Sequence, residues 1–202
     1  MGRIQIEKPV HSYSGDKWTT NRTNKKYLKR DFHSRCAYCD DKDFYYGGAN
    51  AFHVEHFAPK EKFPNLIYRY ENLLYACPYC NGSKSDKWPS DSADVNVVGT
   101  EGFINPCEDE YDIHLERNYD GKICSKSELG DYMISNLKLY LKRHQIFYKI
   151  DQIDQKRESL KQKIDEGKAH GRDMSKLEKI LSALEKDFFS YYEIWKKLGP
   201  DD

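Results

Sequence analysis

The sequence lacks an apolar run near its start. It opens Met1-Gly2-Arg3-Ile4, with nothing like the apolar centre of a secretory signal, so a cytoplasmic setting is expected. No stretch approaches the roughly 18 consecutive apolar residues of a membrane span, so no membrane partner is expected. Only 38% of the 202 residues are hydrophobic, against 33% charged. That leaves little material for one large core and favours a small one stapled by metal. Net charge is missing too, since 33 Lys and Arg balance 33 Asp and Glu. A zero sum argues against nucleic acid, but the distribution does not. From Lys17 to Lys87 there are 13 basic residues against 8 acidic, whereas from Asp91 to Asp131 there are 3 against 11. The positive excess falls where a phosphate backbone would need it.

That basic stretch holds four cysteines in two tight pairs, Cys36-Ala-Tyr-Cys39 and Cys77-Pro-Tyr-Cys80. A C-x-x-C pair puts two thiolates where one tetrahedral metal takes both, and two pairs close the shell at four sulfurs. The competing reading is disulfides. In a cytosolic chain thiols stay reduced, so the pattern points to zinc. Cys107 and Cys124 have no partner at ligand spacing and read as ordinary small side chains. The gap between the pairs is 37 residues, wider than the roughly 15–20 of a zinc ribbon. The inserted segment carries His53-Val-Glu55-His56-Phe-Ala-Pro59, and the second pair runs directly into Asn81. A histidine, a carboxylate and an asparagine beside a closed zinc site are the groups that metal-assisted phosphodiester cleavage needs.

The chain reads as α+β. Residues 1–20 are expected to be extended, with Ile4 and Ile6 alternating. A helix should start near Thr20–Asn21, capped by Thr or Asn, and end near His33–Ser34. Residues 51–57 alternate apolar and polar as a short strand. Residues 60–72 read as a loop, 72–76 lead into the second pair, and a loop or helix begins at Asn81. Asp120-Gly121 between two short apolar runs signals a hairpin, with His114 alternating outward as a surface histidine. A helix is expected over about 131–166. A second should carry an apolar seam of Met174, Leu177, Leu181, Leu184, Phe188, Tyr191, Trp195 and Leu198, with a turn at Gly167–Gly171 between them. These are two antiparallel helices, either packed within the hairpin or docking a partner, since the second is dense in aromatics. The boundaries are therefore 1–128 for a zinc-knuckle domain with an acidic insert and 129–202 for a helical hairpin.

The run Cys36-x-x-Cys39, Val54-Glu55-His56-Phe57-x-Pro59-Lys60, Asn72-Leu73-Leu74-x-x-Cys77-x-x-Cys80-Asn81-x-x-Lys84 resembles the HNH endonuclease family. More narrowly it is similar to the PtuB-like HNH subunit of Septu and retron anti-phage systems, including Ile104-Asn105-Pro106 and the segment Leu137-x-Leu139 through Arg143. The specific block covers roughly residues 30–90, and the last 50 residues lie outside the resemblance. The resemblance implies a ββα-metal fold, nuclease activity and an SMC-like ATPase partner.

The chemistry of the residues agrees. His56, at the end of a strand, is the natural general base. Glu55 beside it can turn to a hard divalent cation. By the resemblance, the residue before the base binds metal. It is usually Asp there and is Glu here, one methylene longer. By the same resemblance Asn81 is the second metal ligand and Asn72 orients the loop that carries the base. Oxygen ligands suit Mg²⁺ or Mn²⁺. Lys84, and Lys60 beside the base, are candidates to hold substrate phosphate, the bland reading of Lys84 being one more surface lysine. His53 stays open between third metal ligand, hydrogen-bond partner of Glu55 and structural histidine. The expected activity is a metal-dependent endonuclease acting on nucleic acid, DNA ahead of RNA, in anti-phage defence. The alternative is a zinc-stabilised nucleic-acid or protein adapter with a vestigial site.

Overall fold

The structure is a computed structural model and describes residues 2–13, 20–199 and 202. Part of the extended stretch expected over 1–20 lies outside these residues. The described part does not alternate: Ile4 and Gln5 are both buried, while Ile6 is exposed. Gln5 Nε2 donates to the Ala37 carbonyl at 2.7 Å, so this segment lies along the first cysteine pair.

The chain divides into two compact units, 1–140 and 141–202. In the first, α1 (Asn21–Asp31) carries no side-chain cap from Thr20, contrary to expectation. Its buried Leu28 joins the core, and His33 and Ser34 in left-handed conformation turn the chain into the first cysteine pair. Strands β1 (His53–His56) and β2 (Leu73–Ala76) pair antiparallel, His53 opposite Ala76 and His56 opposite Leu73. All four β2 side chains are buried. Such a continuous apolar run shows no alternation, which is why this strand reads in the sequence as a mere lead-in. Helix α2 (Pro78–Lys84) follows at once. Proline suits its first position, where the missing N–H would have no helical partner, and the Cys77 sulfur caps it by accepting from Cys80 N–H at 3.4 Å. The helix thus begins three residues before Asn81.

The acidic stretch adds the short pair β3 (Val97–Val98) and β4 (Glu101–Gly102), then α3 (Tyr111–His114). The expected hairpin forms as β5 (Leu115–Arg117) and β6 (Ile123–Ser125), closed through Gly121 at φ 85°. His114 does not face outward. Residues 111–114 are a helical turn, so the period of two fails. Ile113 is exposed, and a His114 ring nitrogen lies 2.6 Å from Ser127 Oγ. Ser127 caps α4 (Glu128–Asn136), and a Cβ on Gly130 would stand 2.3 Å from the His114 carbonyl oxygen, so only glycine fits there.

The single helix expected over 131–166 is two. α4 stops at Asn136, and α5 (Lys142–Ala169) starts afresh. Between them Lys138 adopts φ 54°, while Leu137, Leu139 and Leu141 are all buried at a period of two. Because α4 packs on β4 and β6, the compact units divide at 140/141 rather than at 128/129.

The second unit is α5 packed on α6 (Ser175–Trp195). Phe147 meets Trp195 edge-on with centroids 5.6 Å apart, and Arg157, which interrupts the apolar steps, stacks over Phe188 at 5.0 Å. No residue of α6 is fully buried.

Candidate metal centre and active cavity

The two cysteine turns face each other. Asp40 N–H donates to the Cys36 carbonyl and Asn81 N–H to the Cys77 carbonyl, which folds each pair tightly. Ala37 N–H reaches the Tyr75 carbonyl at 2.8 Å and ties the first turn to β2. The sulfurs of Cys36, Cys39, Cys77 and Cys80 lie within 4.8 Å of one another, and all four residues are buried. Cys39 Sγ and Cys77 Sγ are 3.8 Å apart, and all four thiols are free. Tetrahedral zinc with bonds of about 2.3 Å separates its sulfurs by about 3.8 Å, so the donor set fits zinc and not disulfides. Burial pushes the Cys39, Cys77 and Cys80 thiols up, while hydrogen bonds from the neighbouring thiols pull Cys36 down, so a cation at the centre would be needed to hold all four as thiolates.

Beside this cluster a cavity of about 420 Å³ opens between β1 and α2. Its walls include His53, Glu55 and His56 from β1, Lys60 and Glu61 from the following turn, Asn81 from α2, and Ser85 and Asp86 just past it. Base candidate, carboxylate and amide thus share one space. The His56 ring is mostly buried, and burial lowers its pKa. His56 Nε2 sits 3.1 Å from the Ile67 carbonyl oxygen. A carbonyl only accepts, so Nε2 carries the proton and Nδ1 keeps a lone pair.

Glu55 is buried, and burial pushes its carboxyl up to about 7 against the pull of Lys84. Lys84 Nζ lies 3.0 Å from Glu55 Oε1, and the Tyr38 hydroxyl reaches the same oxygen at 3.5 Å. Both contacts engage Oε1, so neither of them occupies Oε2. Asn81 is half-exposed on the facing helix. Glu55 and Asn81 therefore offer an oxygen each to one polar cavity, a set that fits Mg²⁺ or Mn²⁺.

Asn72 stands just before β2, buried, and holds the backbone of Ala58 by two hydrogen bonds. His53 lies at the solvent side of the cavity, and burial together with nearby Lys25 lowers its pKa. Lys60 is half-exposed at the rim. Lys84 is not there. Its side chain is wholly enclosed, its pKa lowered by burial, and it faces Glu55 and the His56 carbonyl instead of the cavity mouth. The expectation that Lys84 holds phosphate is therefore corrected, and so is the reading of it as a surface lysine. Sequence reasoning also missed Tyr38, which reads only as a spacer inside the first cysteine pair. Nothing in the polar run Ser83-Lys84-Ser85-Asp86 signals burial of its lysine.

Against known proteins, residues 36–87 match the family HNH: HNH endonuclease. The chain is 28% identical over 137 residues to Septu protein PtuA of Bacillus mycoides (strain KBAB4), covering 56% of this chain and 18% of that protein. It is 34% identical over 86 residues to Septu protein PtuB of Bacillus thuringiensis, covering 41% of this chain and 28% of that protein. The chain thus spans less than a third of the length of either relative. All four clustered cysteines and every cavity residue from His53 to Asp86 fall within the stretch that matches the HNH endonuclease family model.

Proposed function

We propose that the chain is a metal-dependent endonuclease that hydrolyses nucleic-acid phosphodiester bonds, with DNA the first substrate, as the effector subunit of an anti-phage system. The observation that carries this reading is that His56, Glu55 and Asn81 line one open cavity braced by a closed four-sulfur cluster. Hydrolysis needs a water deprotonated in line with the leaving oxygen and compensation for the charge that builds on phosphate. His56 takes the proton from that water at Nδ1, because Nε2 is committed to the Ile67 carbonyl. The Ile67 carbonyl keeps the ring in that orientation, and Asn72 holds the chain just beyond it through Ala58. A divalent cation held by Glu55 and Asn81 would supply charge neutralisation at the phosphate. Lys60 at the rim meets the phosphate backbone on one side of the cavity. The similarity to Septu proteins supports the defence role, and an SMC-like ATPase is the partner to test first.

The test is cleavage of plasmid, single-stranded DNA and tRNA with Mg²⁺ or Mn²⁺, with and without any co-encoded ATPase. Metal-dependent cutting lost in His56→Ala, with zinc retained, is the expected result. Absence of cutting under all these conditions, or a His56→Ala protein that cuts like the parent, would overturn it. The former would support the adapter reading.

A further inference from the structure

Lys84 is the charge this chemistry leaves unexplained. It is the last residue of α2, its side chain is fully shielded, and the Phe103 and Trp88 ring centroids stand 5.4 and 5.9 Å from its ammonium. The ammonium has two oxygen partners, Glu55 Oε1 at 3.0 Å and the His56 carbonyl at 3.3 Å. Stability is a poor account of such a pair. Taking both charges out of water is costly, and apolar residues of similar volume often do as well or better.

What an ion pair supplies, and apolar packing does not, is direction. Lys84 and the Tyr38 hydroxyl both address Oε1, which fixes the plane of the carboxylate of a residue that lines the cavity and keeps both contacts off Oε2. The bond to the His56 carbonyl ties the same ammonium to the last residue of β1. Lys84 also lies one helical turn beyond Asn81, so the anchor of Glu55 and the amide donor belong to the same short helix. We propose that Lys84 is a positioning residue of the nuclease site. It orients the Glu55 carboxylate, so that this oxygen donor and Asn81 meet one divalent cation. The inference rests on the metal-dependent nuclease reading above.

Charge alone and positioning make opposite forecasts. Removing a cation beside a carboxylate should tighten a divalent ion there, whereas loss of an oriented carboxylate should weaken it. The sign of the change decides between them. In Lys84→Met, Mn²⁺ binding to the full chain without nucleic acid, followed by electron paramagnetic resonance, should weaken by about 10–100-fold. Zinc should stay near one per chain. Cleavage supported by Mg²⁺ should fall further than cleavage supported by Mn²⁺, because Mg²⁺ demands near-ideal octahedral geometry. Unchanged or tighter Mn²⁺ binding overturns the proposal.

Lys84→Met leaves Glu55 buried without its partner and risks the fold, so a second comparison stands beside it. The double variant Lys84→Met/Glu55→Gln is measured against Glu55→Gln alone. If Lys84 works through Glu55, the two bind Mn²⁺ equally. A further loss in the double variant overturns the proposal. A parent chain that neither binds Mn²⁺ nor cleaves removes the nuclease reading, and the inference with it. A parent that does both while Lys84→Met matches it removes the positioning role alone.

Discussion

Asn72 grips Ala58 by both of its main-chain groups: Asn72 Oδ1 accepts from Ala58 N–H at 2.8 Å, and Asn72 Nδ2 donates to the Ala58 carbonyl at 3.0 Å. Phe57 N–H completes the clasp on the Asn72 carbonyl at 2.9 Å. The clasp closes immediately beyond His56, across the base of the loop that runs from Phe57 to Glu71. An apolar replacement would leave two buried backbone groups unpaired. Asn72→Ala should therefore destabilise the fold by about 1–3 kcal/mol in denaturant melts. Cleavage should fall at the same time, because the ring of His56 takes its orientation from Ile67 in that loop. Full activity together with this loss of stability would separate Asn72 from the chemistry.

The four-sulfur cluster ties the turn that follows α1 to the junction of β2 and α2, so a metal bound there would couple to folding. Protein purified without added metal should contain close to one zinc per chain by elemental analysis. Cys77→Ser should lose the metal and the cooperative melt together. Two disulfides and no zinc would refute the assignment.

Asn81 lines the cavity from α2, facing the strand that carries Glu55 and His56. Asn81→Ala should leave the zinc content and the fold alone, yet move Mg²⁺- or Mn²⁺-dependent cleavage to higher metal concentration. A cation titration that superimposes on the parent's would take Asn81 out of the ligand set.

What the sequence made legible was local. Two cysteines three apart can only form a tight turn, and alternating residues 53–56 can only present His53 and Glu55 to one side. The Asp120-Gly121 turn and the long helices of the tail are equally short-range signals. What it hid depends on contacts between distant segments. Lys84 looks like any surface lysine until Glu55 is brought 3.0 Å from it. Tyr38 reads as a spacer until its hydroxyl reaches the same carboxylate. The break at Lys138 was masked because Leu137, Leu139 and Leu141 continue an apolar pattern while changing its period from helix to extended chain.

Asp31 offers a test by pH. It is buried at the end of α1 and accepts from the Ser12 N–H and hydroxyl, the Tyr70 hydroxyl and Arg30. Burial alone would raise its pKa, but these hydrogen bonds together carry it below the usual carboxylate range. A carboxyl whose folded pKa is depressed stabilises the fold above its unfolded value. The contribution fades as pH falls through that value and is gone below the folded one. The melting temperature should therefore drop on acidification below about pH 5. In Asp31→Asn the drop should be shallower, from a lower starting stability. Parallel curves for the two proteins would show that another group sets the acid limb.

The tail gives the last prediction. The seam from Met174 to Leu198 lies against α5 but stays half-buried along its length, and Ile180, Phe189, Tyr192 and Ile194 remain exposed on its flanks. On an ideal helix Ile180 and Phe189 point about 180° apart, so the apolar surface of α6 is wider than one neighbouring helix covers. A surface of this kind, rich in aromatics, suits a protein partner. Ile180→Asp and Phe189→Asp replace exposed side chains, so each should change stability by no more than about 0.5 kcal/mol. Either should nonetheless abolish co-purification with a co-encoded ATPase. Deleting the chain from Arg172 onward should do the same while zinc content stays normal, since all four cysteines belong to the other compact unit. Retention of the partner by both point variants and by the deletion would leave α6 as packing for α5 alone.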